Sequence, residues 1–222
     1  MRTLFHHPLS AFSRKVRLAL TEKRLDFALQ AEKPWERRDE FMMLNPAGEV
    51  PVLVEEDGSV IAEQNAICEY LEDAYPAHSL LGREVALRAE VRRLCGWFDV
   101  KFKAEVTDLL VGEKLFKRFS GQGTPQAQSI RAGLANIHYH LDYIGWLAER
   151  RTWLAGDHFS WADIAAAAQL SAVDYLGDVP WDDHPDAKDF YARVKSRPSF
   201  RPLLADHQPG LPPPKHYADL DF

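Results

Sequence analysis

The chain has 222 residues, of which 46% are hydrophobic and 27% charged, and its formal net charge is −6. This balance is typical of a folded, soluble protein with one large or two ordinary domains. The negative charge argues against nonspecific nucleic-acid binding, and no apolar run approaches the ~20 residues that span a bilayer. The first residues do not resemble a secretory signal. We therefore expect a cytoplasmic protein that neither binds nucleic acid nor inserts into membranes.

The two cysteines lie within predicted helices. Cys68 and Cys95 lack the spacing of metal ligands. We interpret both as buried thiols in a reducing compartment. The sequence therefore predicts no metal site.

The first third of the chain alternates β-rich and helical stretches. Met1–His6 predicts a strand, and Asp26–Gln30 predicts a second strand parallel to it because a helix, Ser13–Glu22, connects them. Asp57-Gly58 is a strong hairpin signal between two further strands. The other predicted elements are a helix over Arg37–Leu44, strands over Val50–Val54 and Ser59–Ala62, and a helix over Gln64–Tyr75. This order is that of an α/β thioredoxin-like domain, at residues 1–76.

After a predicted linker at 77–82 the pattern becomes helical. Apolar residues at steps of three and four predict two long amphipathic helices. The first stripe is Leu87, Val91, Leu94, Phe98, Phe102, Val106 and Leu109, and the second is Ile130, Leu134, Ile137, Leu141 and Ile144. Between them, Thr124 is the expected cap and Pro125 the first helical residue. We predict an all-α helical-bundle domain at 83–203, followed by an extended tail at 204–222.

Two local motifs are specific enough to position backbone. Ser160 and Asp163 predict a capping box, in which each side chain binds the backbone N–H of the other. Pro51 stands at the start of a strand, where its missing N–H is tolerated. X-Pro bonds have an accessible cis form. A cis Val50-Pro51 bond would turn the Val50 N–H and C=O toward an extended peptide ligand.

These two motifs and Arg197-Pro198-Ser199-Phe200 occur in the order found in glutathione S-transferases. The chain resembles that family over nearly its whole length. The resemblance implies a thioredoxin-like domain followed by an all-helical domain. It also implies a site that stabilises the thiolate of glutathione through a Tyr, Ser or Cys after the first strand.

The resemblance places Ser10 at the catalytic serine of theta- and zeta-like classes, and Phe12 where beta-like classes have cysteine. We interpret Ser13 as the N-cap of the first helix. The family holds the γ-glutamyl carboxylate with an acidic residue, a Ser and a helix N-terminus. Here the pair is Glu63-Gln64, which lacks the compact hydroxyl. The implied pocket, vestigial if activity is lost, consists of Ser10, Val50, Pro51, Glu63 and Gln64.

Two segments outside this pocket suggest protein binding. Residues 33–38, here called the Trp35 loop, combine Trp and Arg, the residue types typical of interface hot spots, although Trp35 would also fit folded over the sheet edge. The tail contains three consecutive prolines, which favour an extended conformation. It either packs back on the protein or stays free for recognition, and both hold if the packed tail forms part of a composite surface.

Within the family, His6-His7-Pro8-Leu9-Ser10, the Trp35 loop and Pro214–Phe222 resemble a branch of bacterial cell-division proteins that bind filaments of the tubulin-like FtsZ. That resemblance implies a homodimer at the division site that has lost transferase activity, needs no cofactor, and changes filament curvature or bundling to promote constriction. The candidate contact residues are Trp35, Arg37, Arg38, Tyr217, Asp219 and Phe222. The alternative is a glutathione-dependent transferase or zeta-like isomerase that uses Ser10.

Overall fold

The computed structural model describes residues 1–220, so the predicted contact residue Phe222 lies outside the described residues. The chain divides into two compact units, Met1–Leu80 and a second that begins at Leu81. This division falls inside the predicted linker, 77–82.

The first unit is built on a four-stranded mixed sheet with the strand order β2-β1-β3-β4. β1 pairs in parallel with β2 and antiparallel with β3, and β3 pairs antiparallel with β4. The strands are β1 (Arg2–His6), β2 (Phe27–Ala31), β3 (Val52–Val54) and β4 (Val60–Ala62), and the α-helices are α1 (Ala11–Glu22), α2 (Asp39–Leu44) and α3 (Gln64–Ala74). The thioredoxin-like prediction is confirmed, including the parallel pairing of β1 with β2 and the hairpin of β3 with β4.

The core of this unit lies between the sheet and its helices. Leu4 and Leu53 are partners across β1 and β3, and both are fully buried. Helices α1 and α3 pack together and bury Val16 and Ile67. The predicted hairpin between β3 and β4 turns at Gly58, whose φ of 88° favours glycine.

The second unit is helical. Its α-helices are α4 (Val85–Gly96), α5 (Lys117–Phe119), α6 (Ala127–Ala148), α7 (Trp161–Asp174), α8 (Pro185–Lys195) and α9 (Arg201–Leu204). Between α4 and α5 the chain continues as a π-helical segment, Trp97–Phe116. Helix α7 is the centre of the unit, since every one of its residues is buried. Its predicted capping box, Ser160 with Asp163, is confirmed.

The π-helical segment explains one error in the predicted apolar stripe. Its buried positions include Phe98, Phe102, Val106, Leu110 and Leu115, which are four or five residues apart. These steps are wider than the 3.6 residues of an α-helical turn. Leu110 is therefore buried at the position predicted for its neighbour, residue 109, which is only partly buried.

The start of α6 also differs from the prediction. Gln126 is the N-cap residue, rather than Thr124, and the first helical residue is Ala127, rather than Pro125. The Gln126 N–H donates to Glu113 Oε2 at 2.8 Å, which fixes the helix start against the π-helical segment. Further along α6, Gly133 allows close approach to that segment, because a Cβ there would lie 2.8 Å from Leu110 Cγ.

The prediction that both cysteines are buried is confirmed for one of them. Cys68 is buried, whereas Cys95 is only partly so. Among residues 1–220, no helix is long and apolar enough to cross a membrane. Over the same residues, no three His, Cys, Asp or Glu side chains are grouped so that they could hold a metal ion.

Candidate functional site

Ser10 is the N-cap of α1, and this corrects the prediction that Ser13 has that role. Ser10 Oγ accepts a hydrogen bond from the Ser13 N–H at 3.3 Å, and the helix begins at Ala11. Ser13 is instead fully buried, and its Oγ accepts from the His7 N–H. Among the hydrogen bonds of the described residues, Ser10 Oγ accepts and does not donate. Its hydroxyl hydrogen is therefore not used within the described residues.

The peptide bond between Val50 and Pro51 is cis, the form that proline makes accessible. The ladders of β3 with its two neighbours begin at Val52. Val50 therefore lies outside the paired part of the strand, and its side chain is partly exposed. This is the position at which the family resemblance expects the backbone of a peptide ligand.

At the start of α3, the two side chains expected to hold the anion already have hydrogen-bond partners. Glu63 is the N-cap, and its carboxylate accepts from the Ala66 N–H at 3.1 Å. Gln64 is buried, and its Oε1 accepts from Lys15 Nζ at 2.7 Å. Both side chains of the pair are thus bound within the chain. An incoming carboxylate would compete with Glu63 for the N–H groups that bind anions at a helix N-terminus.

The Trp35 loop is fixed to the first unit at two places. The Trp35 ring is partly buried, with its centroid 5.4 Å from that of His7. Arg38 binds Glu32 through two hydrogen bonds, Nη2 to Oε2 at 2.7 Å and Nε to Oε1 at 3.3 Å. Glu32 is buried, so this bidentate pair anchors the loop. Arg37, between the two anchors, is exposed.

The C-terminal tail packs back onto the second unit, and we call residues 208–220 the strap. Tyr217 is fully buried and donates to the Leu203 carbonyl. Its ring also meets that of Tyr175, whose hydroxyl donates to the Leu211 carbonyl at 2.8 Å. Tyr217 was predicted as a partner contact. Because it is buried, we assign it instead as an anchor of the strap.

A buried carboxylate lies beneath the strap. Asp174, at the end of α7, has no exposed surface and accepts from Trp181 Nε1 at 2.9 Å and Tyr191 Oη at 3.3 Å. It also faces His216 Nε2 at 3.1 Å. Lys195 adds a further link, since its Nζ donates to the His216 carbonyl. Sequence reasoning missed this cluster, because its members are far apart in the chain and carry no motif.

Asp219 is the predicted contact residue that the strap leaves exposed. Burial lowers the pKa of the Lys195 ammonium, and the negative charges of Asp174 and Asp219 oppose that effect. Next to the strap lies a groove of about 440 Å³, whose lining includes Trp181, Lys188 and His216. The strap thus places an acidic side chain near a recess that aromatic, basic and acidic side chains line.

The second unit also exposes large apolar side chains along two neighbouring helices. Val100 is 69% exposed on the π-helical segment, and Tyr139 is 58% exposed on α6. Trp97 packs against Tyr139 and Tyr143, with centroids 6.0 and 4.5 Å apart. Trp146 continues the row and is 49% exposed. We call this row the aromatic face. The predicted apolar stripes did not include it.

Comparison with known proteins identifies the family. The model of the glutathione S-transferase N-terminal domain matches residues 9–74, and the model of its C-terminal domain matches residues 132–198. The chain belongs to the glutathione S-transferase family. Among curated relatives of this family, it is 51% identical to FtsZ-localized protein A of Caulobacter vibrioides, over 100% of this chain and 98% of that protein.

Solved structures of the glutathione S-transferase family agree. A glutathione S-transferase from Rhodospirillum rubrum F11 matches with 60% identity and a TM-score of 0.98 over the full length of both chains. FzlA from C. crescentus matches with 51% identity and a TM-score of 0.96, over 100% of this chain and 99% of that one. Both matches include the strap, which lies beyond the matched part of the family's C-terminal domain.

Proposed function

We propose that this protein is a non-catalytic member of the glutathione S-transferase family that binds FtsZ filaments at the division site. On binding, it changes filament curvature or bundling and so promotes constriction. The observation that carries this proposal is the 51% identity to FtsZ-localized protein A over the whole chain. The family models end at residue 198, whereas this similarity extends through the strap.

The start of α3 supports the loss of transferase activity. Glu63 already caps the helix, and Gln64 is bound to Lys15. Binding the γ-glutamyl end of glutathione would require these internal hydrogen bonds to be exchanged, which weakens the net gain. We therefore propose that the protein works without glutathione or any other cofactor.

We further propose that the protein is a homodimer, and that a second copy covers the aromatic face. Large exposed aromatic and aliphatic side chains such as Val100, Tyr139 and Trp146 are typical of interface cores. A two-fold dimer presents every other surface twice, so it is bivalent toward a repeating filament. Bivalency raises avidity without any new contact.

The filament proposal is tested by co-sedimentation of the purified protein with GTP-polymerised FtsZ, at several concentrations and two salt concentrations. We expect saturable pelleting that requires GTP. A protein that stays in the supernatant at both salt concentrations would remove the filament assignment.

The dimer proposal is tested by sedimentation velocity of the wild type and of Val100→Glu. The variant places a charge on the aromatic face without touching the buried core, so we expect a monomer with unchanged circular dichroism. Exposed Val85→Glu is the matched control, since Val85 is 82% exposed at the start of α4. A wild type that is monomeric at micromolar concentration would contradict the proposal.

A second candidate function is a glutathione-dependent transferase or isomerase. Ser10 favours it, because its hydroxyl hydrogen remains available at the N-terminus of α1, where a thiolate would be stabilised. The test is retention on immobilised glutathione together with turnover of a generic electrophile. If Ser10→Ala abolishes turnover but not retention, Ser10 donates the hydrogen bond that stabilises the glutathione thiolate. If neither retention nor turnover occurs in the wild type, this function is excluded.

A further inference from the structure

Helices α6 and α8 are linked by two histidines and a carboxylate. His138 Nδ1, on α6, lies 2.9 Å from Nε2 of His184, the residue before α8. His184 Nδ1 lies 3.0 Å from Asp142 Oδ1, one turn along α6 from His138. The His184 side chain is only 9% exposed, whereas that of Asp142 is 72% exposed. One ring thus bridges two side chains on the same face of α6.

The hydrogen-bond partners determine which ring nitrogens carry a hydrogen. An ionised carboxylate only accepts, so His184 Nδ1 must carry a hydrogen. The bond between the two rings then needs one hydrogen between His138 Nδ1 and His184 Nε2. With both rings neutral, His138 donates. With His184 charged, the direction reverses and neutral His138 accepts. With both rings charged, two N–H groups face each other at 2.9 Å, and the bond cannot form.

We propose that His138 and His184 form a proton-controlled latch between α6 and α8, which holds with zero or one bound proton and opens when a second proton binds. The latch differs from an ordinary His–carboxylate pair, because its first proton strengthens it and its second breaks it. Opening removes the side-chain link to α6 at His184, the N-cap residue of α8. The last turn of the same helix carries Lys195, which binds the strap.

Most of the charged groups around His184 are carboxylates. His184 shares a cavity of about 220 Å³ with four carboxylates: Asp142 of α6, Glu149 at the C-cap of α6, Asp183 before α8, and Asp186 of α8. The cation on α8 nearest in sequence is Lys188, whose backbone N–H donates to the His184 carbonyl at 3.0 Å. On the π-helical segment packed against α6, Lys101 binds Glu105, and Glu105 binds His140.

The test is a pH titration of the ¹⁵N-histidine-labelled full chain, followed by two-bond ¹H–¹⁵N correlation spectra. We expect the hydrogen of neutral His184 to be on Nδ1, and the two rings to titrate in coupled steps at least about one pH unit apart. Amide exchange at Lys188 should accelerate through the lower step alone.

His138→Asn is the matched variant, since its side-chain amide lies where Nδ1 lies and donates to neutral His184, but cannot take up a proton. We expect one titration step for His184 and no acid-induced acceleration at Lys188. Exposed His158→Gln should keep both steps. A neutral His184 with its hydrogen on Nε2, or two rings that titrate independently in the wild type, would overturn the latch even if the variant failed to fold.

Discussion

Asp174 Oδ1 lies 3.1 Å from His216 Nε2, so a carboxylate buried at the end of α7 holds the C-terminal strap in place. The same carboxylate accepts from Trp181 and Tyr191, which belong to the body of the helical unit. Asp174 therefore contributes both to the seating of the strap, beside Tyr217, and to the packing of the unit.

Replacing Asp174 should loosen the strap and destabilise the helical unit. Asp174→Ala leaves the Trp181 and Tyr191 donors without their acceptor, so we expect the free energy of unfolding to fall by at least about 2 kcal/mol. His216→Ala removes only the partly exposed link and should cost about 1 kcal/mol or less. Urea denaturation measures both, and limited proteolysis should show a released strap in each. Equal destabilisation by the two variants would argue against Asp174 as the shared centre.

Asp219→Lys tests whether the exposed charge of the strap contacts the filament. We expect weaker pelleting with FtsZ and a modest fall in the free energy of unfolding, because the new lysine replaces a negative charge that favours the buried Lys195 ammonium. Asp157→Lys is the control, since it makes the same charge change at another exposed position of the helical unit. If the two variants pellet alike, the effect comes from net charge, and Asp219 is not a contact.

Trp35→Ala tests the Trp35 loop. If the ring is an interface hot spot, we expect at least a tenfold loss of apparent affinity for FtsZ polymer. Met43→Ala serves as the control, because Met43 is 85% exposed in the same unit. If Trp35 serves only to cover His7, the variant should lose stability in thermal denaturation while binding with unchanged affinity.

His6 should make the protein sensitive to acid. Burial, with Arg17 and then Arg14 nearby, lowers the pKa of His6 to about 4 from 6.5. Between these two values the unfolded chain binds a proton that the folded chain does not, so stability falls as pH falls. The loss is on the order of 3 kcal/mol. We expect His6→Gln to flatten this part of the curve of unfolding free energy against pH, and exposed His158→Gln to leave it unchanged. Parallel curves for wild type and His6→Gln would refute the assignment.

The sequence predicted the fold well because its signals are local. The capping box of Ser160 and Asp163, the turn at Gly58 and the cis bond before Pro51 each depend on neighbouring residues. The candidate sites depend on distant ones. No local pattern joins Asp174 to His216, 42 residues away, or Gln64 to Lys15, 49 residues away. The choice of Ser10 over Ser13 as cap was missed, because either serine satisfies the local preference.

The internal hydrogen bonds of Glu63 and Gln64 bear on how the protein is maintained in the cell. A ligand that binds only the folded state adds stability according to its free concentration relative to its dissociation constant. Here the Ala66 N–H and the Lys15 ammonium already bind the side chains of Glu63 and Gln64. If the pocket does not bind glutathione, as proposed above, the folded population is independent of the thiol concentration around the protein. The amount of active protein then follows synthesis and degradation, and does not report the redox state of the cell.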